Sequence, residues 1–175
     1  RSTYQQTRRD GNRTENRFTG RARNEWLRGD SDWSGFLESE LEIAEFLNYD
    51  ARLRVGAGVV YRFVDTDTTL FSTRLGAGAA RQFGGVDDDL DPEAIVALAL
   101  SHRLSPRQRI EFSADWFPDL RDSSDFRAEF RAGWEIGLNE ENNLKLRLSV
   151  EDRYNSQATQ NRNNIDYFAE LVYEF

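Results

Sequence analysis

Apolar and polar residues alternate with a period of two along most of the chain. That is the repeat of β-strands with two unlike faces, not of helices. The C-terminal stretch shows it most plainly. From Asn164 to Phe175 one face carries Ile165, Tyr167, Ala169, Leu171, Tyr173 and Phe175, and the other carries Asp166, Phe168, Glu170, Val172 and Glu174. Before it, Leu144, Leu146, Leu148 and Val150 oppose Lys145, Arg147, Ser149 and Glu151. Phe126, Ala128, Phe130, Ala132, Trp134 and Ile136 oppose Arg127, Glu129, Arg131, Gly133 and Glu135. Ile110, Phe112, Ala114 and Trp116 oppose Glu111, Ser113 and Asp115, and Val96, Leu98 and Leu100 share one face of a less polar strand. Further upstream, Leu75, Ala77 and Ala79 oppose Arg74, Gly76, Gly78 and Ala80. Leu53, Val55, Ala57, Val59, Tyr61 and Phe63 oppose Arg52, Arg54, Gly56, Gly58 and Arg62, and Leu37, Leu41 and Ile43 oppose Glu38, Glu40 and Glu42. Two weaker strands, around Arg17–Leu27 and Ser2–Arg8, bring the predicted number to ten.

The connections carry turn chemistry: DGN at 10–12, RGDSD at 28–32, VDTDT at 64–68, SPRQ at 105–108 and NEENN at 139–143. Longer polar loops are predicted at 84–92, 118–125 and 155–164. From Asp65 onward short turns and long loops alternate, as in a barrel with short periplasmic turns and longer outer loops. No linker divides the 175 residues, so residues 1–175 read as a single domain.

Alternation alone leaves open which face is inside. Two features set the apolar face towards lipid. Aromatics cluster at strand ends on that face, with Trp26, Trp33, Tyr61, Phe63, Phe71, Tyr173 and Phe175 at one rim. Trp116, Phe126, Tyr154, Tyr167 and Phe83 lie towards the other, and the middle is mostly aliphatic. Two aromatic girdles around an aliphatic band fit two membrane–water interfaces. The charged face, in turn, places opposite signs on neighbouring strands: Glu38, Glu40 and Glu42 between Arg17, Arg21, Arg23 and Arg52, Arg54, Arg62. Glu111 and Asp115 precede Arg127 and Arg131, and Arg147 and Arg153 precede Asp166 and Glu170. Turned to lipid, each Arg would cost about 2–4 kcal/mol near the midplane.

The predicted lumen-facing charges are therefore Arg52, Arg54, Arg62, Arg74, Glu38, Glu40, Glu42, Glu111, Asp115, Arg127, Glu129, Arg131, Glu135, Lys145, Arg147, Glu151, Asp166 and Glu170. Gly56, Gly58, Gly76 and Gly78 fall on the same face, where they either permit a bend in the wall or leave free volume. Flanked by Arg52, Arg54, Arg62 and Arg74, that volume would be a basic, weakly anion-selective wall; the competing expectation is a lumen closed by Arg–carboxylate pairs.

Composition narrows the chemistry. The absence of cysteine removes disulfides, thiolate metal sites and a Cys nucleophile. The single histidine, His102, shares the apolar face with Leu98 and Leu100, so a Ser–His hydrolase finds no base in the lumen. No catalytic residue and no cofactor are predicted. Asp87, Asp88, Asp89 and Asp91 have the oxygen ligands of a Ca²⁺ or Mg²⁺ site but not the spacing of a known calcium loop, so they are read as a solvated loop, with no metal. A net charge of −8 speaks against nucleic acid as a partner. No run approaches the roughly 20 apolar residues of a membrane helix. With no methionine, Arg1 is read as not a native start, and a preceding leader is expected.

The stretches LRVGAGVVYRFVDTD (53–67), LGAGAARQF (75–83), residues 102–156 and the ending DYFAELVYEF (166–175) resemble the family described as salt-induced outer membrane proteins, domain-of-unknown-function family 481. The resemblance is firmest from Arg52 to Phe175. The aromatic terminus, with apolar residues at alternate positions before it, is similar to the C-terminal signature of bacterial outer-membrane proteins, and marks Tyr173 and Phe175 as a membrane-insertion signal. The family carries a further N-terminal hairpin, which leaves open a twelve-stranded full-length barrel. The resemblance implies an outer-membrane location and no known activity.

The expected fold is an all-β, up-and-down antiparallel transmembrane β-barrel in the bacterial outer membrane, not an enzyme. Its expected partners are outer-membrane lipid, lipopolysaccharide and, through the last strand, the barrel-assembly machinery. The expected role is a narrow polar channel or an envelope-structural barrel; a soluble small-ligand-binding β-barrel is the alternative.

Overall fold

A computed structural model describes residues 2–9, 12–27, 29, 31–44, 50–84, 90–139, 143–158 and 162–173. Ten strands follow one another: β1 (Ser2–Arg9), β2 (Asn12–Leu27), β3 (Trp33–Ala44), β4 (Ala51–Asp65), β5 (Thr69–Phe83), β6 (Leu90–Ser105), β7 (Gln108–Pro118), β8 (Phe126–Gly137), β9 (Leu144–Asn155) and β10 (Asn163–Tyr173). They form one antiparallel sheet in sequence order, each strand bonded to its neighbours in the chain. The sheet curls into an up-and-down half-barrel, and among the described residues no ladder joins β1 to β10.

The strand ends depart from the sequence reading in one instructive place. The loop expected over 84–92 gives way to β6 at Leu90, because the β5 ladder continues through Arg81–Leu90, Ala80–Asp91 and Ala79–Pro92. Pro92 is tolerated there because β6 outruns the β7 ladder, apart from a single bridge between Glu93 and Asp119. Pro92 also supplies its carbonyl to the Leu120 N–H at 2.9 Å, tying the β7–β8 loop to β6.

The register places like with like. Arg21 faces Glu40 and Arg23 faces Glu38 across β2–β3. Glu40 faces Arg54 across β3–β4, and Gly56 and Gly58 face Gly78 and Gly76 across β4–β5. A slip of one residue would carry each charged set to the other face, so the register is strongly specified. The buried apolar side chains form a small cluster, Phe36, Val60, Ile95 and Phe117, inside the curl.

Candidate functional site

Burial is inverted relative to a water-soluble sheet. On β8, Glu129 is 8 % exposed while its neighbour Phe130 is 45 % exposed. The same contrast runs round the curl. Glu38, Glu40, Arg54, Asp115 and Glu129 are buried on the concave face. Arg52, Arg62, Arg74, Glu42, Arg127, Arg131, Glu135, Lys145, Arg147, Glu151 and Asp166 are half-buried. Only Glu111 and Glu170, of the eighteen charges assigned to the lumen, are exposed. Leu37, Leu53, Val55, Val59, Leu75, Leu98, Phe112 and Trp134 are exposed on the convex face. Tyr173 is exposed as well, and Phe175 lies outside the described residues.

The buried charges close into a ring. Arg21 pairs with Glu40 at 2.7 Å, Glu40 with Arg54 at 3.3 Å, Arg54 with Glu38 at 3.4 Å, and Glu38 with Arg74 at 2.6 Å. Arg74 then pairs with Asp115, Asp115 with Arg131 at 3.3 Å, and Arg131 with Glu129. Glu129 returns to Arg21 at 3.0 Å. Four guanidinium groups and four carboxylates thus alternate without a break, on strands β2, β3, β4, β5, β7 and β8. Burying ions is costly unless each is paired, and alternation gives every one of the eight an opposite charge on either side. The step from β5 to β7 needs a small residue between them. Ala97 on β6 faces both Arg74 and Asp115 in register, so the arginine lies across it.

A second cluster centres on Glu93, which accepts from Arg127 at 2.6 and 2.7 Å and from Arg52 at 3.0 Å. Phe117 lies beneath it with two guanidinium groups over its ring, Arg54 at 4.1 Å and Arg127 at 5.3 Å from the centroid. Towards the short-turn end, Arg62 donates to Glu25, and Ser34 donates to the same carboxylate at 2.6 Å. Near β10, Arg153 pairs with Asp166 at 2.6 Å, and Arg147 chooses Glu135 at 2.7 Å. The basic wall expected from Arg52, Arg54, Arg62 and Arg74 is therefore absent: each of the four has a carboxylate partner.

The glycines hold no free volume either. A Cβ on Gly56 would lie 2.5 Å from Ile95 Cδ1; one on Gly58 would lie 2.8 Å from Phe36 Cε1 and 2.2 Å from the Leu75 carbonyl oxygen. Gly56, Gly58 and Gly76 make a notch into which Ile95 and Phe36 pack, a Cβ on Gly78 would meet the Val55 and Gly56 backbone, and Arg74 covers the Phe36 ring. The centre of the curl is filled by this apolar cluster and the ionic ring around it.

On the convex face, Trp33, Tyr61, Phe63 and Phe71 run ring to ring at centroid separations of 4.7, 4.8 and 5.3 Å along the short-turn rim. Phe126 stacks on Tyr154 at the other rim. His102 Nδ1 is 2.8 Å from Thr69 Oγ1, in register across β5–β6, on the same face as Phe71 and Leu100. Asp87, Asp88 and Asp89 lie outside the described residues, while Asp91 is the second residue of β6. Among the described residues no group of three metal-ligating side chains converges. In the β7–β8 loop, the hydroxyl of Ser124 donates to Asp122 at 2.7 Å and its N–H at 2.9 Å, and these bonds hold the Asp122 carboxyl below the usual range.

A family model described as "Protein of unknown function, DUF481" matches residues 1–175. The chain belongs to the DUF481 family. A search of curated proteins finds no match. The DUF481 description assigns no activity, so the concave face must be read from its own chemistry.

Sequence reasoning missed six of the residues that matter most to this DUF481 chain: Glu25, Phe36, Val60, Glu93, Ile95 and Phe117. Parity held the signal for five of them. Phe36 shares its face with Glu38, Glu25 with Arg23, Val60 with Arg62, and Phe117 with Asp115; Ile95 opposes Val96. Attention to apolar residues on the polar face would have found the plug. Glu93 was hidden because it was counted at the edge of a loop.

Proposed function

We propose that this chain is the wall of a bacterial outer-membrane β-barrel whose interior is blocked, an envelope-structural protein and not an open pore or an enzyme. One observation carries the reading: ionised side chains are buried against one another while aliphatic and aromatic side chains cover the outside. In water this arrangement would leave a continuous apolar belt hydrated, far beyond the patches that monomeric soluble proteins expose. In a bilayer the belt is solvated by acyl chains, the backbone is satisfied by the ladder, and the aromatic rows meet the interfaces. Strands β2 to β10 span 11 to 16 residues, and a tilted membrane strand needs about 9–11. A ligand-binding soluble barrel would need an apolar interior with room in it, whereas here Phe36, Ile95 and the ionic ring occupy the centre.

Fractionation and gel migration test the reading. The protein is expected to stay with the membrane pellet after an alkaline wash, to need detergent for release, and to run faster unheated than boiled. A chain that stays monomeric and soluble in plain buffer would overturn it.

A further inference from the structure

One group of arginines without a salt bridge among the described residues lies away from the ring. Arg103 near the end of β6 and Arg109 near the start of β7 face each other directly in the ladder. Like charges directly opposite repel, with Cβ atoms roughly 4.5–5.5 Å apart. Elsewhere on the concave face arginines lie opposite a carboxylate, as Arg54 does Glu40, or a small residue, as Arg74 does Ala97. Here, among the described residues, neither arginine forms a salt bridge, and nor does Arg107 in the turn between them. Both side chains of the facing pair are exposed. The three arginines line one hollow of about 290 Å³ at the short-turn end, together with Gln108, Glu135 and Lys145. Glu135 faces Arg109 across β7–β8, but its salt bridges go to Arg147 at 2.7 Å and Lys145 at 3.6 Å, so one carboxylate is shared among several cations.

The backbone builds this hollow. Pro106 sets the tight turn, and the Ser105 hydroxyl accepts the Arg107 N–H at 3.3 Å. The register shifts between Arg103 and Ser105, leaving Leu104 unpaired and turned outward. A bulge at a barrel rim re-aims the side chains beside it, here Arg103. The Gly137 N–H donates to the Arg107 carbonyl at 2.7 Å, fixing the turn to the end of β8.

We propose that this hollow is an oxyanion site for a phosphate group, with Arg103 and Arg109 as its two main ligands and Arg107 at its mouth. Planar guanidinium forks suit the oxygens of phosphate, and a dianion between facing arginines turns their repulsion into attraction. A cleft lined by one sign of charge also concentrates counter-ions, so a protein of net charge −8 still offers anions a local destination. The proposal depends on the curled sheet alone and stands whether or not the convex face meets lipid.

Calorimetric titration of the purified protein with inorganic pyrophosphate, at low ionic strength, tests it. Saturable binding is expected, weakened at least about tenfold in Arg103→Gln and in Arg109→Gln. Arg23→Gln removes an exposed cation from β2 and is expected to bind as the unaltered protein does. Thermal melting gives an independent readout: in anion-free buffer Arg109→Gln should melt no lower than the parent, and the rise in Tm that pyrophosphate gives the parent should vanish. Repeating the titration in nanodiscs of phosphatidylglycerol and of phosphatidylcholine separates the sources. Competition in the anionic discs alone identifies a lipid headgroup, and none identifies a soluble phosphate. No saturable heat, or equal weakening by Arg23→Gln, would overturn the site.

Discussion

Arg21 on β2 and Glu129 on β8 meet at 3.0 Å although 108 residues separate them in the chain. No ladder connects their strands directly; the contact spans the curl. It closes a circuit whose other links lie within one strand or join strands that are adjacent or one apart. The ring is thus a tie across the sheet as well as a means of neutralising buried charge.

Removing one member should expose that role. Glu129→Ala leaves Arg21 and Arg131 each short of a partner, and breaking a buried pair costs about 3–5 kcal/mol. Denaturant unfolding from phospholipid vesicles should register a loss of that order. A double replacement of Arg21 and Glu129 by apolar residues of similar size should recover much of it. Equal stability of Glu129→Ala and the parent would mean that the ring is decorative.

The glycine notch makes a sharper pair of predictions. At Gly56 the tight contact is a side-chain atom, Ile95 Cδ1, with backbone no nearer than 3.5 Å. Gly56→Ala should cost about 1–3 kcal/mol through overpacking, and Ile95→Val should rescue part of it. At Gly58 the obstructions are backbone, the Leu75 carbonyl at 2.2 Å and Gly76 Cα at 2.5 Å. Gly58→Ala should therefore cost more, and trimming Phe36 to Leu should not rescue it. Unfolding free energies of the two pairs decide the matter.

How much of this was legible in the residues follows from what each signal depends on. Strand number and facing were legible because a period of two needs no knowledge of the partner strand, as in Leu144 to Glu151. Pairings between neighbours, such as Arg54 with Glu40 or Arg153 with Asp166, followed from strand order and register. The links that skip strands did not. Arg74 finds Asp115 only because Ala97 is small, and Arg127 prefers Glu93 on β6 to any carboxylate on β7 because the curl brings them together. Curvature is set by the whole sheet and leaves no local mark. The glycines were read as a bend or as free volume, and the filling of Gly56 stayed hidden for the same reason: its occupant, Ile95, comes from a strand two away.

A plugged interior should not conduct. In planar bilayers the intact protein is expected to give no resolved channel steps. Phe36→Ala combined with Ile95→Ala empties the notch beside Gly56 and Gly58 and should produce openings or a raised leak. Steady unitary conductance from the unaltered protein would contradict the blocked interior while leaving the fold untouched.

The central claim is that the apolar face of this sheet meets lipid. The chain has no cysteine, so single-cysteine variants at Leu146, Leu148 and Val150, and at Lys145 and Ser149, each accept one spin label. Collision with oxygen and with a water-soluble nickel chelate should be measured by EPR in phospholipid vesicles. The account predicts a two-residue oscillation, with high oxygen and low nickel accessibility at Leu146, Leu148 and Val150 and neither reagent strongly favoured at Lys145 and Ser149. Nickel reaching Leu148 as readily as an exposed loop residue would contradict it.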